Sequence, residues 1–149
     1  MVEHLTSRVK IIEAITEANG VAGMADINGS IVDMSGFEAI AFVVIFGAIV
    51  GTAVTGIRIQ RDVDVAGGTM ADIEGSAQAI ADTDDGKIVI SDVYRPGERY
   101  VRGVVDRGTA NATVRAAFYI LYGSHEHPVS GHGATVVVEQ LKDKPEGTA

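Results

Sequence analysis

The chain has no cysteine and no tryptophan, only three prolines, and 12 basic residues against 20 acidic ones. Without cysteine there are no disulfides, no thiolate zinc sites and no cysteine nucleophiles, although the redox compartment stays open. The basic residues never form a run, and the formal net charge is -8. DNA and RNA affinity rests on clustered Lys and Arg, so nucleic acid is not an expected partner. Long hydrophobic segments are scarce too. The one charge-free run, Ala39 to Val54, has about 16 residues with two glycines, short of the ~20 that a spanning helix needs. Its β-branched and aromatic content favours a strand, and no membrane partner is expected. The start, MVEHLTSRVK, carries charges where a signal peptide has its apolar core, so no signal peptide is expected.

What is present is a β vocabulary. Eighteen glycines and abundant Val, Ile, Ala and Thr suit many strands joined by tight turns. At 149 residues the chain is expected to form one domain, burying roughly 70% of its unfolded surface. The organising stretch is Ser35 to Val50, SGFEAIAFVVIFGAIV. In a strand, Ile40, Phe42, Val44 and Phe46 share one face, and Ala39, Ala41, Val43 and Ile45 share the other. Both sets are apolar, whereas an antiparallel strand with one wet face alternates apolar with polar. Something must therefore cover each face, either another sheet or another subunit.

Thr113 to Tyr122 has the same double-apolar character. Val114, Ala116, Phe118, Ile120 and Tyr122 read as one face, and Ala117, Tyr119 and Leu121 as the other. Between these two strands, Gly56–Gln60, Lys87–Ile90 and Arg99–Asp106 alternate as shorter ones, and Met70–Ala81 reads as a short strand or irregular segment. Turns fall at Asp82–Gly86, Arg95–Glu98 and Arg107–Asn111. Strands every 10 to 15 residues, with no helical crossover between them, predict an all-β, single-domain antiparallel sandwich or barrel. The organisation expected is an N-terminal arm or edge segment over residues 1–30, a β-sandwich core over 31–134, and a C-terminal strand and polar tail over 135–149. The first segment stays open between a helix, with Val9, Ile12 and Ile15 on one face, and an extended VKIIEAI at a sheet edge.

Several blocks occur in a characteristic order: SGFEAIAFVVIFGAI, DVYRPGERYVRGVVDRGTANATV, ILYGSHEHPV and the terminal KPEGTA. Together they resemble a family of virion structural proteins of tailed bacteriophages, similar to capsid decoration (cement) proteins. That resemblance implies a β-sandwich or jelly-roll module that binds the major capsid protein on the outer surface of the phage head. It also implies a homo-oligomer, commonly a trimer, with no catalytic residues and no cofactor.

Candidate chemistry is sparse. His125, His127 and His132 lie close enough in sequence to hold a cation, since residues two apart on a strand share a face. Pro128 and the glycines around them make a solvated loop the ordinary reading. The acidic turn Asp82-Thr83-Asp84-Asp85-Gly86 has Lys87 and Val93 where a calcium loop needs Gly and Glu, so a hairpin turn is expected. Asn111-Ala112-Thr113 fits a glycosylation sequon. No Ser lies in a Gly-x-Ser-x-Gly context, and no glycine cluster follows a nucleotide-binding pattern, so an enzyme is not expected. Arg58, Arg102 and Arg115, each opposite its strand's apolar set, suggest a basic stripe pairing with Glu38 and with acidic groups of a neighbour; a solvated outer face is the ordinary alternative.

The expected subunit or capsid contacts are Val9, Ile11 and Ile12 of the arm, the loop Arg61 to Gly68, and the strand after Ala134. The smaller-residue faces, Ala39, Ala41 and Val43 with Ala117 and Tyr119, complete the set as an inter-subunit seam. A different class of function, a host-attachment module binding carbohydrate or protein, would call for exposed aromatics along a groove.

Overall fold

The computed structural model describes residues 3–129 and 131–141. Ten strands dominate: β1 (Lys10–Ile15), β2 (Ile27–Asn28), β3 (Val32–Asp33), β4 (Ala39–Ile49), β5 (Val54–Asp62), β6 (Ala71–Asp72), β7 (Gln78–Ile80), β8 (Ile88–Tyr94), β9 (Tyr100–Gly108) and β10 (Ala112–Tyr122). One sheet runs β1-β10-β4-β8; the other runs β2-β9-β5-β6, with β3 also on β9 and β7 also on β5. Every pairing is antiparallel.

Counting β2/β3 as one broken edge strand and β6/β7 as another, each layer has four strands. Every step along the chain except β5 to β6 then crosses from one layer to the other. This is jelly-roll connectivity, which places the long strands β4, β5, β9 and β10 in the middle of the two layers. The fold is a single-domain β-sandwich.

The N-terminal segment is extended. Lys10–Ile15 adds to β10 as an edge strand, with short helical turns at Leu5–Ser7 and Glu17–Gly20 on either side. The sheet contact decides this, because a lone amphipathic turn of helix has little stability of its own. Of the two alternatives for this segment, an arm or an edge segment, Lys10–Ile15 takes the second, with β1 at the edge of one layer and β2 and β3 at the edge of the other. The strand expected after Ala134 does not form: Thr135–Leu141 carries no ladder, and the tail 142–149 lies outside the described residues.

The core lies between the layers. Ile40, Phe42, Val44 and Phe46 of β4 point into it and are fully buried. From the facing sheet come Ile57 and Ile59 of β5 and Val101 and Val105 of β9. Each such side chain contributes roughly 1.5–3 kcal/mol by leaving water.

A polar latch joins the layers at the centre of this apolar interior. Tyr119 of β10 reaches across from its sheet, its hydroxyl accepting from Gly103 N–H at 2.8 Å and donating to Ser30 C=O at 2.9 Å. Its ring lies 5.4 Å from that of Phe42. Burial holds the phenol well above its ordinary pKa, so it stays a neutral donor. Glycine is required on both sides of the latch. A Cβ on Gly103 would come within 2.5 Å of the Phe42 ring, and one on Gly29 within 2.4 Å of the Tyr119 hydroxyl.

Tyr119→Phe, which leaves the Gly103 amide buried without a partner, is expected to cost about 1–3 kcal/mol in urea unfolding. Gly103→Ala should cost more, because the Phe42 ring has no free space to move into.

Candidate interaction surface

The second face of β4 forms the outer surface of its sheet. Its floor is Ala39, Ala41 and Val43, with Ile45 beyond them. On one side stand Ala116, Phe118, Ile120 and Tyr122 of β10. On the other are Ile88, Ile90, Asp92 and Tyr94 of β8, set by the register Val43↔Ile90 and Ile45↔Ile88. Three strands about 4.8 Å apart over this span give a face on the order of 300 Å², the size of the largest apolar patch on many monomers and often a functional one. Ile88, Ile90 and Tyr94 are 62%, 55% and 63% exposed. Tyr122 donates its hydroxyl to Asp92 at 2.7 Å, which seats one of the face's few charges against its floor.

This arrangement corrects the expected seam. Tyr119 and Ala117 face the core, not the outside, and Tyr119 has no exposed surface. The two sets of residues keep their grouping from Ala116 onward, but the one with the smaller residues is the inner one. A bulge also adds Val114 to it: Val114 pairs with Phe46 but Ala116 pairs with Ile45, so Arg115 is an extra residue and the parity of β10 flips there. Val114 therefore points inward together with Ala117, Tyr119 and Leu121. Ala39, Ala41 and Val43 do lie on the outer face, but their small side chains sit beneath larger neighbours and are covered within the chain. Val9 is likewise buried. The accessible surface is supplied by the flanking Ile88, Ile90 and Tyr94; the sequence placed Ile88 and Ile90 on one face of a strand without singling them out as contacts.

Among the arm residues, Ile12 packs against the core, while Ile11 sits on the outer side of β1. The backbone of Ile11 is capped by the C-terminal segment: its N–H donates to His132 Nδ1 at 3.0 Å, and its carbonyl accepts from Gly133 N–H at 2.8 Å. In the loop that follows β5, Val63 and Val65 are exposed, and Asp62 ties the loop's base. Its carboxylate accepts from the Asp64 and Thr69 amides and from the Thr69 hydroxyl, which together hold its pKa below the ordinary value. Arg61 and Asp62 belong to β5, so the loop starts later than its sequence suggested.

The arginine stripe does not assemble. Arg58 and Arg102 lie near one another on the outside of the β5–β9 sheet, whereas Arg115 sits on the other layer at the β10 bulge. Arg58 is neutralised within the chain by Asp106 and Asp72, and Arg102 donates to Gln60 at 2.8 Å. Glu38 is engaged by Arg95 at 3.1 Å and His125 at 2.8 Å.

The histidines part company as well, since His125 meets Glu38 while His132 caps β1. Among the described residues no three His, Asp or Glu side chains come together as a metal site. The acidic turn Asp82–Gly86 folds as a short helical turn closed by Lys87 on Asp84, with Gly86 at φ 71°. No helix among the described residues is long and apolar enough to cross a membrane.

At one end of the sandwich the Arg95–Glu98 turn and the Ser35–Glu38 turn frame an open cleft of about 450 Å³, lined by Phe37, Glu38, Arg95 and Arg99. Arg95 takes φ 52°, a left-handed conformation that costs a side-chain-bearing residue roughly 1 kcal/mol or more. It is held there by its amide on the Glu38 carbonyl and its guanidinium on the Glu38 carboxylate. Arg99 grips Asp33 with two hydrogen bonds, 3.0 and 2.8 Å, and lies over the Tyr100 ring. At the other end, Arg107 donates to the carbonyls of Val21, Ala25 and Ala112, pinning the connection that leads to β2.

With this geometry established, comparison with solved structures finds proteins of similar fold. The crystal structure of the PBSX exported protein XepA is similar in fold. The TM-score is 0.53 at 15% sequence identity, over 96% of this chain and 46% of that one. This chain therefore spans less than half the length of XepA, and at that identity the likeness concerns the fold alone. No protein-family model matches the chain, and no curated protein sequence matches it.

The end-cleft carboxylates carry a pH signature. The partners of Glu38 (His125, then Arg95) and the Arg99 guanidinium on Asp33 hold both carboxyls below their ordinary values. Their stabilisation is therefore complete above the unfolded carboxylate range near pH 4–4.5 and is lost as pH falls through the lower folded values. The melting temperature is expected to drop below about pH 4, and Glu38→Gln with Asp33→Asn should flatten that part of the profile in scanning calorimetry.

Proposed function

We propose that this chain is a tailed-bacteriophage virion protein that decorates the outside of the icosahedral head, binding the major capsid protein and its own copies to reinforce the shell. The observation that carries the reading is the jelly-roll sheet with two apolar faces, of which its own chain covers one and leaves isoleucines standing on the other. The sequence blocks that resemble decoration proteins support it, and so does the fold shared with XepA, a protein named as a PBSX exported protein. A net charge of -8 favours a protein partner over nucleic acid.

The mechanism is adhesion. Interfaces on the order of 1,000 Å² are needed for a stable contact, and many weak contacts on a repeating lattice add through avidity. No residue in this reading makes or breaks a covalent bond.

The charged end cleft, with the Tyr94 ring exposed beside it, favours a second reading as a host-attachment module that binds carbohydrate. Binding on a glycan array without capsid association would select it.

The direct test is co-sedimentation of the purified chain with empty phage heads. The expected outcome is saturable binding that Ile120→Asp and Phe118→Asp, on the outer apolar face, weaken at least tenfold while leaving the melting temperature within a few degrees. A chain that stays in the supernatant at every ratio of protein to heads would overturn the reading.

A further inference from the structure

A sandwich of two open sheets has four edges, and exposed edges invite pairing with other chains unless they are blunted. Among the described residues three of the four are. In the β5–β9 sheet the edges are β2/β3 and β6/β7, each broken into pieces of two or three residues. In the β4–β10 sheet the β1 edge is capped by its own chain, where His132 and Gly133 take both backbone groups of Ile11. The fourth edge, β8, runs unbroken for seven residues, IVISDVY, without Pro or Lys.

Which of its backbone groups are free follows from the register. Phe46 N–H donates to Lys87 C=O, and Arg95 N–H donates to Glu38 C=O, so the hydrogen-bonded pairs are the ones containing Val89, Ser91 and Val93. The amides and carbonyls of Ile88, Ile90, Asp92 and Tyr94 therefore point away from the sheet. Their side chains are the exposed ones on the outer face.

The geometry points to β8 as a self-pairing edge: two copies of this chain join antiparallel through it, about a two-fold axis at Ser91. In that register Ile90 of one copy faces Asp92 of the other and Ile88 faces Tyr94, giving about eight ladder hydrogen bonds in four narrow pairs. An aliphatic side chain opposite an aromatic one is a favourable cross-strand pair. Shifting the axis to Asp92 would set two carboxylates opposite each other, which is unfavourable in an acidic chain. Lys87 of one copy faces Arg95 of the other at the strand ends, and each is already neutralised by Asp84 or Glu38 of its own chain. The contact is isologous, so it closes at two copies, and it joins the two outer faces into one apolar surface across eight strands. It differs from the three-fold association that the sequence resemblance implies, and it does not depend on binding to a shell.

The test is the mass of the purified chain by light scattering after size exclusion, between about 1 and 100 µM. Two copies are expected. Ile90→Lys places a charge on the edge, and Ile90→Pro removes an outward N–H without touching the β4 ladder. Each should raise the dimer dissociation constant at least tenfold with an unchanged circular dichroism spectrum. Val137→Lys, at a fully exposed position of the segment beside the opposite edge, should leave the mass unchanged. A monomer at every concentration would overturn the inference, as would an oligomer of any size that both Ile90 variants leave intact. Head co-sedimentation by the Ile90 variants separates this contact from capsid binding, since loss of pairing with retained sedimentation fails neither reading.

Discussion

A strand whose two faces are both apolar must be covered twice, and a two-layer sandwich supplies only one cover. That constraint shapes this molecule. β4 and its neighbour β10 send Phe42, Phe46, Tyr119 and Leu121 inward, where the β5–β9 sheet meets them. The other face is built on alanines and valine and fringed by larger residues of β8 and β10, with little charge to pay its hydration. The fold buries the first face between the layers; on the second, neighbouring side chains cover the β4 floor, and Ile88, Ile90 and Tyr94 stand exposed around it.

The interior depends on glycine as much as on bulk. Tyr119 can bridge the layers only because Gly29 and Gly103 let backbone and ring approach without a Cβ between them. The latch supplies a partner for an amide and a carbonyl that the break between β2 and β3 would otherwise strand in an apolar core. Polar features at the sandwich ends work the same way on a larger scale. Asp62, Arg99 and Arg107 each tie a loop to a strand with several hydrogen bonds, so connections that would fray in a glycine-rich chain are pinned at their bases.

Much of this was legible in the chain before folding. The double-apolar character of 39–49 and 113–122, the turns at 82–86 and 95–98, and the lack of helical crossovers led directly to an antiparallel sandwich. The seam was misread because the smaller-residue face was taken as the outer one, and when both faces are apolar size does not say which of them meets the second sheet. One extra residue at Arg115 also moves Val114 to the inner face, a bulge that leaves no mark in the alternation of apolar residues. The arginine stripe failed similarly, because strand adjacency sets which arginines meet, and adjacency is a property of topology. The histidine loop drew attention as a metal candidate, but the ladder of β1 and the carboxylate of Glu38 claimed two of its members separately.

Composition and periodicity by themselves determined the class of fold and the two central strands, because burial demand is written residue by residue. Which edge stays open was decided only in three dimensions. β1 and β8 are both short apolar strands flanking the same pair, and nothing in either predicts its fate. The chain's return at His132 and Gly133 satisfies the backbone of one, and among the described residues no segment pairs with the outward side of the other. An edge is unpaired or covered according to where distant chain happens to pass, and that is a fact of tertiary structure.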